Sequence, residues 1–174
     1  SIVMVFPRVE APPEDYVAVM PPYYVSTGIG DVFQIKINIS CFGTPFVGYE
    51  FKVYWKRQYI NATAVSVTPP PTWTSPSFTP ATNVAFAPLF NSTHGRFFQA
   101  VTNLPTVSVT GTFTVLDLTF ETIDTPVFPN PDVHVVVDLL DTKLAAQPPA
   151  GAIPHTAYDG EVIIQSTVPP TPKL

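Results

Sequence analysis

Few side chains in this chain are of types that carry chemistry, and their spacing limits what they can do. The three histidines are His94, His134 and His155. None stands in a His-x-Glu or His-Glu-x-x-His pattern, the spacings that put metal ligands or a base on one face. Cys41 is the sole cysteine, so it has no internal disulfide partner. A nucleophilic thiol needs a neighbouring histidine or positive charge. Nothing local supplies one, and Cys41 reads as a small buried hydrophobe. Asp138, Asp141 and Asp159 flank one connection, and Asp124 and Asp132 flank another. Hard oxygen ligands grouped at strand ends can hold Ca²⁺, which makes the first three candidate ligands. Solvated turn carboxylates are the simpler account, since Asp is an ordinary turn residue, and no EF-hand pattern is present. Gly28-Ile29-Gly30-Asp31 is a turn without the Lys-Ser/Thr or helix of a phosphate loop. No nucleophile elbow occurs. These absences point away from an enzyme and from any resident cofactor. Three N-glycosylation acceptors remain: Asn38-Ile39-Ser40, Asn61-Ala62-Thr63 and Asn91-Ser92-Thr93.

The elements that carry these residues follow from composition and period. The chain has 174 residues, enough for one domain. Its 22 prolines argue against long helices, because proline costs about 3 kcal/mol in a helix interior. Hydrophobic residues make up 45% and charged residues 12%, so core material is ample and surface charge is scarce. The net charge of −5 gives no basic face for a nucleic acid. No apolar run reaches the ~18 residues of a membrane-spanning helix. Few charges, three acceptors and a start at Ser1 fit an exported, cell-surface or extracellular protein, with sugars supplying hydration.

Period-two alternation dominates. Phe33, Ile35, Ile37 and Ile39 alternate with polar residues, and so do Tyr49, Phe51, Val53 and Trp55, with Gly43 and Pro45 as turn residues between. Further strands are expected over 17–25 (broken by Pro21-Pro22), 62–68, 97–101, 112–122, 133–140 and 161–166. Residues 69–88 and 141–154 read as long connections. Aromatic residues are many: Tyr23, Tyr24, Tyr49, Tyr54, Trp55, Trp73, Phe97 and Phe98. Most belong to core or loop packing, and an exposed subset could stack on sugar rings; Trp73, in the Pro-rich connection, is the one to test for exposure. Some eight short strands with Pro/Gly/Thr turns define an all-β antiparallel sandwich, with a barrel as second choice.

The segments Val17-Ala18-Val19-Met20-Pro21-Pro22-Tyr23, Gly30-Asp31-Val32-Phe33 through Ile39, and Gly48-Tyr49-Glu50-Phe51-Lys52-Val53-Tyr54-Trp55 resemble successive strands of cohesin-like domains. Asn61-Ala62-Thr63-Ala64-Val65 follows in the same order. Leu140-Asp141-Thr142-Lys143-Leu144, Ile153-Pro154-His155 and Asp159-Gly160 are similar to segments of exported archaeal relatives. The resemblance covers about residues 17–165. It implies a nine-stranded jelly-roll sandwich, exported and non-enzymatic, but no dockerin-binding motif carries over.

The resemblance leaves residues 1–13 unexplained. Ile2, Val3, Met4, Val5 and Phe6 form an apolar strand-like run that a Pro12-Pro13 tether detaches from the body. The organisation expected is therefore 1–13 as apolar segment and tether, 14–167 as sandwich, and 168–174 as a Pro-rich extended tail. An isolated apolar strand is an exposed edge that folded proteins avoid. Inserted into the next subunit it would complete that subunit's sheet, and head-to-tail repetition would build a filament. The Thr-, Val- and Pro-rich, charge-poor composition resembles that of archaeal donor-strand pili and threads, and the function expected first is a secreted filament subunit of that kind whose partners are identical copies. The alternative is a cohesin-like or carbohydrate-binding module that docks a protein or glycan.

Overall fold

The computed structural model describes residues 14–73, 81–102, 107–148, 151–169 and 171–173. The run Ile2–Phe6 and its tether lie outside the described residues. Ten strands are present among those described: β1 (Tyr16–Met20), β2 (Tyr23–Ser26), β3 (Val32–Lys56), β4 (Ile60–Val67), β5 (Ala81–Ala87), β6 (His94–Thr102), β7 (Val109–Thr122), β8 (Val133–Ala146), β9 (Thr156–Tyr158) and β10 (Gly160–Ile164). The one helical element among them is a 3₁₀ turn, Pro71–Trp73.

The long strand β3 belongs to two layers. Its first half pairs with β1 and β7, from Val32↔Glu121 to Cys41↔Gly111. Its second half pairs with β6 and β8, for example Tyr54 with Arg96 and Asp138. The first layer therefore runs β9-β1-β3-β7-β4 and the second β5-β6-β3-β8-β10-β2. Most pairs are antiparallel; β1 with β9 and β10 with β2 are parallel. Between the layers lie the predicted alternating sets, with Ile35, Ile37, Ile39, Phe51, Val53 and Trp55 all essentially inaccessible. Cys41 joins this core, as its sequence context suggests.

Pro21 and Pro22 carry the chain from β1 in one layer to β2 at the edge of the other, the bend that two missing donors require. Gly160 lies under this crossing, where a Cβ would collide with the Val19 side chain.

Three expectations are corrected. The Gly43–Pro45 segment does not separate two strands. It is the corner of one strand, with pairing interrupted between Cys41 and Phe46. Residues 141–154 are not wholly a connection. Strand β8 continues to Ala146 through an irregularity in which Asp141 takes φ 50, so the inward set changes from Val135, Val137 and Leu139 to Leu144 and Ala146. An aspartate tolerates this left-handed geometry better than most side chains. Residues 69–88 likewise contain an edge strand, β5, and a core residue. Trp73 is fully buried, stacked on Tyr49 at 6.0 Å and edge-on to Phe46 at 5.5 Å. Its indole N–H donates to the Val107 carbonyl at 2.8 Å. The apolar ring drives the segment inward, and the short 3₁₀ turn supplies the geometry.

Removing that ring leaves a cavity and an orphaned carbonyl. Trp73→Ala is expected to lower stability by about 3–5 kcal/mol in urea unfolding, and Trp73→Phe by less. An unchanged midpoint for Trp73→Ala would show that this segment adds nothing to the core.

Candidate functional site

The two outer faces of the sandwich differ in character. The face of the first layer presents Gln34, Lys36 and Asn38 from β3 beside Asp117, Thr119 and Glu121 from β7. Lys36 and Asp117 form an ion pair there at 2.7 Å. The centre of this face is hydrated in the ordinary way, while Val32 at the start of β3 and Met20 and Tyr158 on β1 and β9 are exposed apolar residues toward its margins.

The second layer's outer face is half apolar. Residues of β8 at outward parity are His134, Val136, Asp138 and Leu140, with Val136 49% and Leu140 41% exposed. They stand beside Tyr54 and Lys52 of β3, Arg96 and Phe98 of β6, and Ile163 of β10. Tyr23 (68% exposed) and Val25 extend the patch along β2. Two cross-strand ion pairs, Lys52–Asp141 at 2.6 Å and Lys143–Glu50 at 2.9 Å, and a His134–Glu161 hydrogen bond at 2.8 Å set the frame. Exposed pairs of this kind add little stability, but they orient long side chains on a flat sheet.

At the centre is an open groove of about 640 Å³. Tyr54, Val136 and Leu140 give it apolar surface, and Asp138, Asp159 and, as the one lysine, Lys56 give it charge. His94, His134 and Asn91 stand at its margin. Beside it Phe90 packs edge-on to Tyr54 at 5.8 Å, and the Arg96 guanidinium lies 4.2 Å from the Phe90 ring centre. Asp159 is held by the Leu139 amide, which donates to its Oδ1 at 2.8 Å. Burial and then the neighbouring Asp159 charge push the Asp138 carboxyl above its ordinary range. Neither carboxylate has a cation within ion-pair distance among the described residues.

The calcium candidates are not brought together. Asp141 turns outward to Lys52, which holds its carboxyl below the usual range by hydrogen bond and charge. Only Asp138 and Asp159 meet. Asp124 accepts from the amide of its neighbour Thr125, and Asp132 accepts from the Ser166 amide of a distant segment, so each is held by a backbone donor away from the other candidates. Among the described residues no group of three or more His, Cys, Asp or Glu side chains is arranged to hold a metal ion. The cause is the left-handed turn at Asp141, which spends that carboxylate across the sheet.

The other candidates fall as follows. Cys41 donates its thiol to the Thr44 carbonyl at 2.9 Å, and burial, with the Asp15 charge, pushes it up to about 11, so it is no nucleophile at neutral pH. His155 is held between the Ile153 carbonyl and the Thr142 hydroxyl. Asn38 is half-buried on β3 and accepts from the Thr114 hydroxyl at 2.8 Å. Asn61 is half-buried on β4, and Asn91 is exposed in the turn before β6. Of the aromatics, Trp55, Trp73, Tyr49 and Phe97 are core residues, whereas Tyr23 is exposed and Tyr54 and Phe98 are half-buried. Phe90 and Arg96 were not singled out by sequence. A signal for Val136 and Leu140 existed, since residues 135–137 and 139–140 are apolar on both parities.

No family model matches the chain. No curated protein matches it either. Solved structures do match its fold. The third cohesin ScaC of Acetivibrio cellulolyticus, solved in complex with the ScaB dockerin, superposes with a TM-score of 0.62 at 10% identity, over 87% of this chain and 99% of that one. A non-cellulosomal cohesin from the hyperthermophilic archaeon Archaeoglobus fulgidus gives 0.58 at 9% identity, over 88% and 93%. The cohesin CaCohA2 of Clostridium acetobutylicum gives 0.55 at 16%, over 87% and 92%. The chain thus has the cohesin-like jelly-roll β-sandwich fold. At these identities the likeness is one of fold.

The raised Asp138 carboxyl has a definite sign. Its ionised form is disfavoured in the folded state, so it lowers stability at neutral pH and ceases to do so as pH falls below the folded and then the unfolded value. Asp138→Asn is expected to raise the melting temperature at pH 7 and to leave it unchanged at pH 3. A variant less stable than wild type at pH 7 would mean that the carboxylate makes a net favourable contact there.

Proposed function

We propose that the chain is an exported protein-docking module that receives its partner on the outer face of the second layer. The observation that carries this is the exposed apolar and aromatic set that surrounds a groove with two unpaired carboxylates on that face. The first layer's outer face is polar over its β3–β7 centre, with its exposed apolar residues Val32, Met20 and Tyr158 away from any such carboxylate pair. The other carries exposed Tyr23, Val25, Val136 and Leu140 around an acidic groove and a Tyr54–Phe90–Arg96 stack. Contiguous exposed apolar surface with polar surroundings marks an interaction site, and tyrosine and arginine beside a central groove are the side chains that dominate binding energy. The unpaired Asp138–Asp159 carboxylates favour a partner that lays a lysine or arginine stem along Tyr54 and Leu140 and sets its cation on the acids. Cohesins of this fold have been solved with dockerins bound, and that precedent supports a protein partner. Both tryptophans are core residues, which deprives a sugar-stacking reading of its best platforms. No helix among the described residues is long and apolar enough to cross a membrane.

Affinity capture from extracellular material of the source cells tests this when wild type is compared with Leu140→Glu and Asp138→Lys. Both variants are exposed enough to fold. A partner retained by wild type and reduced at least tenfold by each variant, about 1.4 kcal/mol or more, places docking on this face. Equal retention by all three proteins would move the site elsewhere.

A second reading, assembly through the N-terminal run, has one observation in its favour. On the flank of the sandwich an apolar trough of about 390 Å³ opens beside edge strand β9, lined by Tyr16, Ala18, Met20, Pro22, Tyr23 and Tyr158. A strand of Ile2–Phe6 from a second copy spans roughly 17 Å and matches its chemistry, with main-chain bonds to the free side of β9. Deleting residues 1–9 should then leave a monomer by light scattering where the full chain forms concentration-dependent polymers. A full chain that stays monomeric, or a truncated chain that still polymerises, removes the reading.

A further inference from the structure

The three glycosylation acceptors have the same sequence pattern and three different geometries. Asn38 and Ser40 lie on one face of β3, flanked by β1 and β7. Along a strand, residues two apart are held about 6.6 Å apart. Ser40 is buried and accepts from the Thr112 hydroxyl, and the Asn38 amide oxygen is occupied by Thr114. On β4, Asn61 pairs with Glu121, and the Thr63 hydroxyl donates across the ladder to the Thr119 carbonyl at 3.3 Å. In neither acceptor does the hydroxyl meet its own asparagine.

Asn91 is arranged differently. Its Oδ1 accepts from the Thr93 amide at 2.9 Å, the Thr93 hydroxyl at 3.0 Å and the His94 amide at 2.8 Å. Two of these donors are backbone N–H groups, which fixes the orientation of the carboxamide. The Thr93 hydroxyl is also 2.7 Å from His94 Nδ1. With the hydroxyl proton given to Asn91, that ring nitrogen is the donor, so a His94–Thr93–Asn91 chain of hydrogen bonds draws electron density toward Oδ1. The oxygen is spent inward, and Nδ2 has no hydrogen-bond partner among the described residues. The backbone is braced from behind: the Arg57 guanidinium donates to the Asn91 carbonyl, and the Arg57 amide donates to the Thr93 carbonyl at 2.9 Å.

We propose that Asn91 is the glycosylation site of this chain, that Asn38 and Asn61 stay bare, and that the Asn91 glycan covers the groove of the second layer's outer face. In the reaction Nδ2 forms a bond to the anomeric carbon of an oligosaccharide carried on a lipid phosphate. The bond from that carbon to the phosphate oxygen breaks, the phosphate leaves with the electron pair, and one Nδ2 proton passes to the transferase. Export presents a folded or folding chain, and a turn tip is the part an enzyme can grip. Asn91 and His94 line the same groove as Tyr54, Asp138 and Leu140, so a sugar rooted there stands over it. This second half rests on the docking reading; the choice of Asn91 does not.

Peptide mass mapping of the protein purified from its own cells tests the choice. The peptide holding Asn91 should carry added hexose mass and those holding Asn38 and Asn61 should not. Thr93→Ala should abolish the modification, and Thr93→Ser, which keeps the hydroxyl, should retain it. A bare Asn91, or a glycan on Asn38 or Asn61, overturns the proposal. Covering is read without any partner. With Leu140→Cys, a polymer-bearing maleimide should label the glycosylated protein several-fold more slowly than its Asn91→Gln counterpart, while buried Cys41 stays silent in both. Equal rates overturn the covering role alone. Slow labelling, together with failure of partner capture by the unglycosylated Asn91→Gln protein as well as by wild type, would leave the glycan placement standing and remove the docking reading.

Discussion

The sandwich depends on how β3 turns its corner. One strand serves both layers, so the amides and carbonyls that ladder in the first layer must be handed to new neighbours in the second. Between Cys41 and Phe46 the ladder is interrupted, and unpaired backbone groups there would be costly. Asp15 closes the gap. Its Oδ1 accepts from the Phe42 amide at 2.8 Å and the Gly43 amide at 3.4 Å, while the Cys41 thiol satisfies the Thr44 carbonyl. Its own backbone carbonyl accepts from the Thr156 amide, and Glu14 next to it takes hydrogen bonds from the Thr156 and Tyr158 hydroxyls. One two-residue acidic step therefore fixes the corner, the start of β1 and edge strand β9 together. Every other strand packs on one half of β3 or on a neighbour of it.

That shared strand also explains why the two outer faces can differ. The inward positions of β3 are apolar on both sides of the corner, and the outward positions are free to vary. Before the corner they are Val32, Gln34, Lys36, Asn38 and Ser40, polar after the first. After it they are Glu50, Lys52 and Tyr54. The second set meets a strand, β8, whose outward positions include Val136 and Leu140. Leaving these two about half exposed forfeits burial worth on the order of 1 kcal/mol each. The folded chain recovers nothing for that by itself, and a partner surface would.

Much of this was legible in the residues. Alternation located the core sets of β3 and the inward residues Leu116, Leu118 and Phe120 of β7, because side-chain period in a strand is two regardless of context. The resemblance to cohesin-like domains gave the architecture. What escaped reading depended on contacts distant in sequence. Gly43 and Pro45 are turn residues by type, yet Asp15, far away in the chain, makes their segment a corner within one strand. Trp73 sits among prolines, which mark a loop, but its burial is decided by Tyr49 and Phe46. Asp138, Asp141 and Asp159 are close in order, and only the left-handed residue at 141 reveals that one of them faces Lys52. The groove itself joins β3, β6, β8 and the β9–β10 turn, and no local pattern announces such a meeting.

Charge narrows what the groove can accept. The chain is acidic overall, with a net charge of −5, so it repels acidic partners at long range and draws basic ones. On the outer face most charged groups are already engaged: Lys52 on Asp141, Lys143 on Glu50, His134 on Glu161, and Arg96 over Phe90. The two lysine–carboxylate pairs cancel locally, whereas Arg96 over Phe90 and Lys56 at the groove keep their charge. Asp138 and Asp159 have no cation in contact, and the Asp159 charge raises the cost of ionising Asp138. A cation set between them relieves that repulsion as well as adding its own attraction, whereas a neutral hydrogen-bonding group does neither. The Asp138 carboxylate, whose ionisation costs the free protein stability, and its neighbour Asp159 thus favour a basic side chain on the partner, and the apolar surface of Tyr54, Val136 and Leu140 around them selects one with a long aliphatic stem.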